Sequence, residues 1–216
     1  MNIKEILKKE WFILVILLIP FGVSAYLWND LPDIVPTHFN AKGEADDWGP
    51  KWVNALMLPG IGLGTYLLMV FLPAIDPKKR ITSNQKAIAA IRVITSLFIV
   101  AVYGIVIRIS LGHSFSFQGY VPVGVGILFI VIGNYINSVK PNYFIGIRTP
   151  WTLENETVWK KTHRLGSKLW IIGGLLLLLS PFLPLMNHNT TFLSIVFIMV
   201  AIPFIYSFIA FKNLSS

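Results

Sequence analysis

The sequence predicts an all-α fold: a polytopic membrane bundle of six transmembrane helices with both termini in the cytoplasm. Three observations carry that prediction. Of 216 residues, 55% are hydrophobic and only 13% charged, with a mean hydropathy of +0.67, against about 25% charged residues in an ordinary soluble domain. One soluble core of this length cannot keep that much apolar surface from water. Second, the apolar residues fall in continuous runs near the ~20 residues that cross about 30 Å of hydrocarbon. They do not alternate, which argues against barrel strands. Third, lysine and arginine sort by loop, as the cytoplasmic loops of membrane proteins require.

The six expected spans are Trp11–Trp28, Trp52–Ile75, Ala87–Leu111, Tyr120–Ser138, Leu169–Met186 and Thr191–Phe211. Pro20, Pro59, Pro181 and Pro203 lie inside them, which membrane helices tolerate because neighbours re-satisfy the freed carbonyls. Gly60, Gly62 and Gly64 thin the second span and suggest close helix packing. Val23-Ser24-Ala25 resembles a signal-peptidase site. The apolar run nevertheless continues through Trp28, and the segment is read as an uncleaved anchor.

Orientation follows from the basic residues. Lys4, Lys8 and Lys9 precede the first span, the 76–86 loop carries Lys78, Lys79, Arg80 and Lys86, and the 139–168 loop carries Lys140, Arg148, Lys160, Lys161, Arg164 and Lys168. With Lys212 these make 14 of the 18 on one side, against Lys42 and Lys51 on the other. That bias places both termini inside. The formal net charge of +8 is then mostly topology, and direct nucleic-acid binding is not expected. With no cysteine, thiolate metal sites, disulfides and cysteine nucleophiles are excluded.

Arg92 and Arg108 complete the count, 16 residues apart on the third span, or about 24 Å along a helix. Each is expected to snorkel towards a different headgroup layer. Arg108, on the outer side, is the better functional candidate. Asn134 and Asn137 on the fourth span are expected to form interhelical hydrogen bonds.

Two polar segments are informative. The outer loop 29–51 contains Asp30, Asp33, Glu44, Asp46 and Asp47 against two lysines. Pro32 and Pro36 hold it extended, and Gly43 and Gly49 mark turns. Such a face attracts cationic peptides or divalent ions. His38 with Glu44, Asp46 and Asp47 offers donors that suit zinc, but the spacing matches no zinc signature, and no metal or cofactor is expected. The favoured reading is that His38, Asn40 and Asp47 hydrogen-bond the loop onto the bundle mouth, with Trp28, Trp48 and Trp52 as interfacial anchors. A ligand-recognition surface formed by His38, Asn40, Glu44, Asp46, Asp47 and Trp48 is the alternative.

In the inner segment, Pro141-Asn142 signals a turn and Pro150 excludes a helix interior. From Leu153 onward the pattern is helical, with Thr152 as the expected cap and Glu154 and Glu156 in the first turn. Val158, Trp159, Thr162 and Leu165 share a face, which suggests a short amphipathic helix on the membrane surface. Its Lys160, Lys161, Arg164 and Lys168 would meet anionic headgroups. Arg148 is expected to pair with a carboxylate, Glu154 or Glu156 being nearest in sequence, or with backbone carbonyls at a helix end.

Together these motifs carry a resemblance. LPDIVPTHFNAKGEADDWGPK resembles the module called DUF1648, and NYFIGIRTPWTLENETVWKKTHRLGSKLW resembles the signature of the SdpI family of bacterial membrane proteins. The resemblance implies a DUF1648-like module over 1–75 and an SdpI-like region over 76–216. It also implies immunity to a secreted, membrane-active peptide toxin, with a cytoplasmic transcriptional repressor as a second partner beside the lipid bilayer. The implied positions are His38, Asn40, Gly43, Asp47 and Trp48 outside, and Arg148, Thr149, Pro150, Trp151, Trp159, His163 and Arg164 inside. Two other functions compete. A membrane hydrolase, metal-dependent or not, would use His38 and its acidic neighbours, but HExxH and a nucleophile elbow are absent. A transporter would need a coupling acid, and none lies within the expected spans.

Overall fold

The computed structural model describes residues 3–40, 43–75, 85–183 and 187–215. Lys42, Lys78, Lys79, Arg80 and Met186, on which parts of the expected topology rest, lie outside the described residues. The chain divides into two compact units: Met1–Phe71 with Arg92–Gln118, and Leu72–Ile91 with Gly119–Ser216.

The first unit begins with helices α1 (Ile3–Lys9) and α2 (Trp11–Tyr26). At 16 residues, α2 is about 24 Å long, shorter than the expected span. It stops because the chain turns: Leu27 N–H donates to Val23 O, and Leu31 N–H to Leu27 O. Pro20 sits inside α2, and its carbonyl accepts from the Tyr103 hydroxyl at 2.8 Å. Ser24 Oγ then donates to Tyr103 Oη at 2.8 Å. Strands β1 (Ile34–Phe39) and β2 (Ala45–Pro50) follow as an antiparallel hairpin. This β element was not expected in an all-α fold, and the segment read as an extended loop supplies it. Pairing runs from Ile34 opposite Pro50 to Phe39 opposite Ala45, with irregularities around His38.

A π-helical turn (Val53–Met57) leads into α3 (Leu58–Ile75), and α4 spans Gln85–Ser110. Ile13, Leu17, Tyr66 and Val70 form one buried cluster, and Leu31, Ala55, Tyr103 and Ile107 form a second under the hairpin. Of the three glycines expected to pack closely, only Gly62 does: a Cβ there would meet Ile99 Cγ2 at 3.0 Å, whereas Gly60 and Gly64 face open space.

In the second unit, α5 (Phe117–Ile136, from Gly119 onward), α6 (Pro150–Glu154), α7 (Glu156–Leu179) and α8 (His188–Ser215) pack together. A short 3-10 turn, Ser180–Phe182, ends α7. The tight seam lies between α5 and α7. A Cβ on Gly126 would lie 2.6 Å from Gly174 O, and one on Gly133 would lie 3.1 Å from Ser167 O. Ser167 Oγ–H donates to Gly133 O at 2.7 Å. Both contacts recur at a seven-residue interval, the close-approach geometry that small residues permit in membrane bundles. Among the described residues, five helices are long and apolar enough to cross a membrane, and α2 is apolar but shorter.

The amphipathic stretch after Leu153 is not a separate surface helix. It is the first turns of α7, continuous with the apolar part of that helix. Its cap is Asn155, whose Oδ1 accepts from Thr157 and Val158 N–H at 2.8 and 3.1 Å. Thr152 instead lies at the third position of α6. Asn155→Ala is expected to lower stability by about 1 kcal/mol, the usual cost of losing a cap, measured as a small drop in the thermal midpoint of the detergent-solubilised protein.

Candidate functional site

Two regions carry the polar chemistry. The first is the hairpin. His38 Nδ1 and Asp46 Oδ1 lie 2.6 Å apart, and Asn40 Nδ2 donates to Glu44 Oε2 at 3.0 Å. Glu44 N–H donates back to Asn40 Oδ1. These bonds brace the turn itself and do not tie it to the bundle, as had been expected of His38 and Asn40. Asp47 accepts from the Trp48 N–H. The tie to the helices comes from Asn54 and Lys51. Asn54 Nδ2 donates to Pro36 O at 2.8 Å and to Ser110 Oγ at 3.1 Å. Lys51 Nζ donates to Trp28 O and Leu31 O, pairs with Asp33 at 3.1 Å, and stands over the Trp28 ring.

At the turn, Gly43 has φ +81°, and a Cβ there would meet the Phe117 ring at about 2.5 Å. Both the backbone sign and the space demand glycine. Phe117 in turn packs on Phe39 and Phe115, at centroid distances of 4.9 and 5.2 Å. Between the hairpin and residues 109–117 lies a mostly apolar cavity of about 540 Å³. Among the described residues, no cluster of three or more His, Asp or Glu side chains is arranged to hold a metal ion. His38 and Asp46 are an exposed pair, with no third ligand beside them among the described residues.

The second region is the 139–167 segment. Asn142 organises it: Nδ2 donates to Lys140 O and Ile145 O, while Oδ1 accepts from the Phe144 and Ile145 N–H groups. Trp159 Nε1–H donates to Val139 O at 2.7 Å, and its ring stacks on His163 at 4.0 Å. Ile147 N–H donates to His163 Nε2 and His163 Nδ1–H donates to Trp159 O, each at 2.9 Å. A backbone amide can only donate, so these two bonds fix the neutral Nδ1–H tautomer.

Thr149 caps α6 through a reciprocal box with Thr152, and Pro150 occupies the first turn, where its missing N–H costs nothing. Thr149 Oγ1–H also reaches Ser207 Oγ on α8 at 3.0 Å, and Trp151 packs against Phe204 and Phe208. Thus Thr149, Pro150 and Trp151 dock α6 onto α8, while Trp159 and His163 hold the preceding loop against α7. Arg148 is exposed and donates to Tyr143 O at 2.6 Å. Its partner is a backbone carbonyl, as one reading allowed, but within its own loop. Lys160, Lys161, Arg164 and Lys168 are all exposed, whereas Val158, Trp159, Thr162 and His163 are buried.

Two expectations about the helices fail, that for Arg92 and that for Asn134 and Asn137. Arg92 does not snorkel. It is 2% exposed and grips buried Glu10 with two hydrogen bonds, Nε to Oε2 at 2.8 Å and Nη2 to Oε1 at 2.5 Å. Asn134 and Asn137 face outward and make no interhelical hydrogen bond among the described residues, because Gly133 is the residue that faces α7. Arg108 is exposed and pairs with no described acid. The sequence reading also missed Glu10, Gly146 and Ser207, and gave Asn142 only as a turn signal. Glu10 was detectable in principle, as a lone acid abutting an apolar run.

Comparison with known proteins places these features. The SdpI/YfhL protein family matches residues 138–207, and a domain of unknown function, DUF1648, matches residues 15–63. The chain is 29% identical over 174 residues to a Bacillus subtilis (strain 168) protein called Immunity protein SdpI, covering 79% of this chain and 80% of that one. No solved structure matches at a significant level. The matched stretches contain the hairpin and the Asn142–His163 network, and the chain is a multi-pass cell-membrane protein similar to the SdpI/YfhL family over residues 138–207 and to DUF1648 over residues 15–63.

Proposed function

We propose that this protein confers immunity on the cell that carries it, against a secreted antimicrobial peptide, and that it acts by binding and not by catalysis. The observation that carries this reading is the similarity to an immunity protein along 79% of the chain. The acidic hairpin supports a cationic peptide as its counterpart. In this reading α2 and the turn after it make the first of six crossings, Trp11–Trp28, both termini are cytoplasmic, and the hairpin faces out. The skew of 14 basic residues to two supports that orientation. The 1–75 module then meets the toxin, and the 76–216 region presents Lys160, Lys161, Arg164 and Lys168 to anionic headgroups. A cytoplasmic repressor docked near the Arg148–Arg164 surface is the finer form of the proposal.

Survival of a sensitive strain tests it. Cells expressing the protein should withstand peptide that kills control cells, and Asp46→Lys with Asp47→Lys should abolish protection at unchanged protein level. Full protection by the double variant would refute the acidic-hairpin mechanism. Reporter fusions near His38 and Arg148 should report opposite compartments.

A further inference from the structure

The cavity under the hairpin is the least explained feature of the first unit. Ile34, Phe39, Trp48, Leu111, Phe115 and Phe117 supply its apolar walls, and Asp30 stands among the lining residues. Its volume of about 540 Å³ lies within the range of about 300–1,000 Å³ typical of ligand pockets. Contacts within the unit brace the walls. Asn54 ties β1 to the end of α4 with one side-chain amide, and Gly43 lets Phe117 close against the turn. Trp48 and Ile34 are nevertheless 57% and 59% exposed, so apolar area is available for a partner to cover.

Charge selects the partner. Lys51 is engaged with Asp33, and His38 with Asp46. Asp30, the carboxylate in the cavity wall, forms no ion pair among the described residues. An apolar cavity with one carboxylate, Asp30, in its wall and the acidic hairpin beside it complements a chain that carries bulky apolar side chains next to basic ones.

We propose that this cavity captures a cationic peptide by accepting one of its aromatic side chains, with Asp30 pairing a neighbouring lysine or arginine. The inference rests on the immunity reading for its biological setting, but not for its chemistry. A buried aromatic anchor in a preformed pocket is how a few residues dominate binding.

The test uses the full-length protein in phosphatidylcholine nanodiscs, with empty discs as the blank. The probe is a dye-labelled synthetic peptide of alternating lysine and tryptophan. Ser114→Trp, which fills the cavity from an exposed turn, and Asp30→Asn should each weaken binding about tenfold or more, as loss of a hot-spot contact does. Replacing the probe's tryptophans by alanine should have the same effect. Equal binding of the alanine probe would mean mere surface electrostatics and overturn the proposal. So would unchanged affinity in Ser114→Trp, or a phospholipid that native mass spectrometry finds on wild type and not on Ser114→Trp. Survival assays are read separately. Lost protection with intact probe binding would sink the immunity reading alone, and cavity-independent binding in protected cells would sink this inference alone.

Discussion

Arg92→Ala is expected to remove most of the folded protein. The guanidinium is buried and holds both oxygens of Glu10. It also lies 6.0 Å from the Tyr66 ring centre, and Tyr66 Oη–H donates weakly to Glu10 at 3.4 Å. Removing the arginine leaves a carboxylate with no counter-charge in a low-dielectric site, which costs about 3–5 kcal/mol when one partner of a buried pair is lost. That is a large fraction of the 5–15 kcal/mol that holds a typical domain together. The expected result is a collapse of the monodisperse peak in detergent size-exclusion chromatography, with a much lower thermal midpoint. Arg92→Lys should recover only part, because a point charge cannot reproduce the two-pronged grip. The double change Glu10→Leu with Arg92→Met should be far less damaging than either single change, since a well-packed apolar pair avoids the desolvation penalty. A wild-type melting profile for Arg92→Ala would show that the pair contributes nothing.

Gly146→Ala is the second large effect. Gly146 has φ +125°, a region that side chains rarely adopt, and a Cβ there would lie 2.5 Å from His163 Nε2 and 2.9 Å from the Trp159 ring. The substitution therefore adds backbone strain of about 1–3 kcal/mol to overpacking of similar size. It also pushes on the one nitrogen that accepts the Ile147 amide. Trp159, His163 and Arg148 belong to one connected segment, so the damage should not stay local. The expected readout is lower stability together with new proteolytic sensitivity in 140–150. An alanine variant that resists protease as wild type does would show that the loop tolerates a different backbone.

Much of the helical architecture was legible because hydrocarbon imposes a simple rule: an apolar run of sufficient length becomes a helix. α4, α5 and α8 follow it closely. The hairpin was not legible. His38, Asn40 and Asp46 read equally well as loop ligands, and only the pairing of Ile34 with Pro50 shows what the intervening acids brace. Arg92 was misread because its partner lies 82 positions away, and a span considered alone offers an arginine only the headgroups. The capping exchange between Thr149, Thr152 and Asn155 turned on which of several adjacent polar residues begins a helix, a distinction of one turn. The motif residues Thr149, Trp151, Trp159 and His163 were recognisable as a group. Their shared task, fastening a loop and a short helix to α7 and α8, needed coordinates.

The glycine seam limits how α7 can move. Gly174 lies against the backbone of α5, and a Cβ on neighbouring Gly173 would collide with Met199 on α8. Sliding α7 along its own axis by about one turn would bring Trp170, Ile171, Leu177 or Leu178 into the slot that Gly174 leaves open against α5. A one-turn piston stroke would therefore be opposed by steric overlap. For a rod of about 36 Å over its 24 residues, tilt or roll is then the motion the seam resists least.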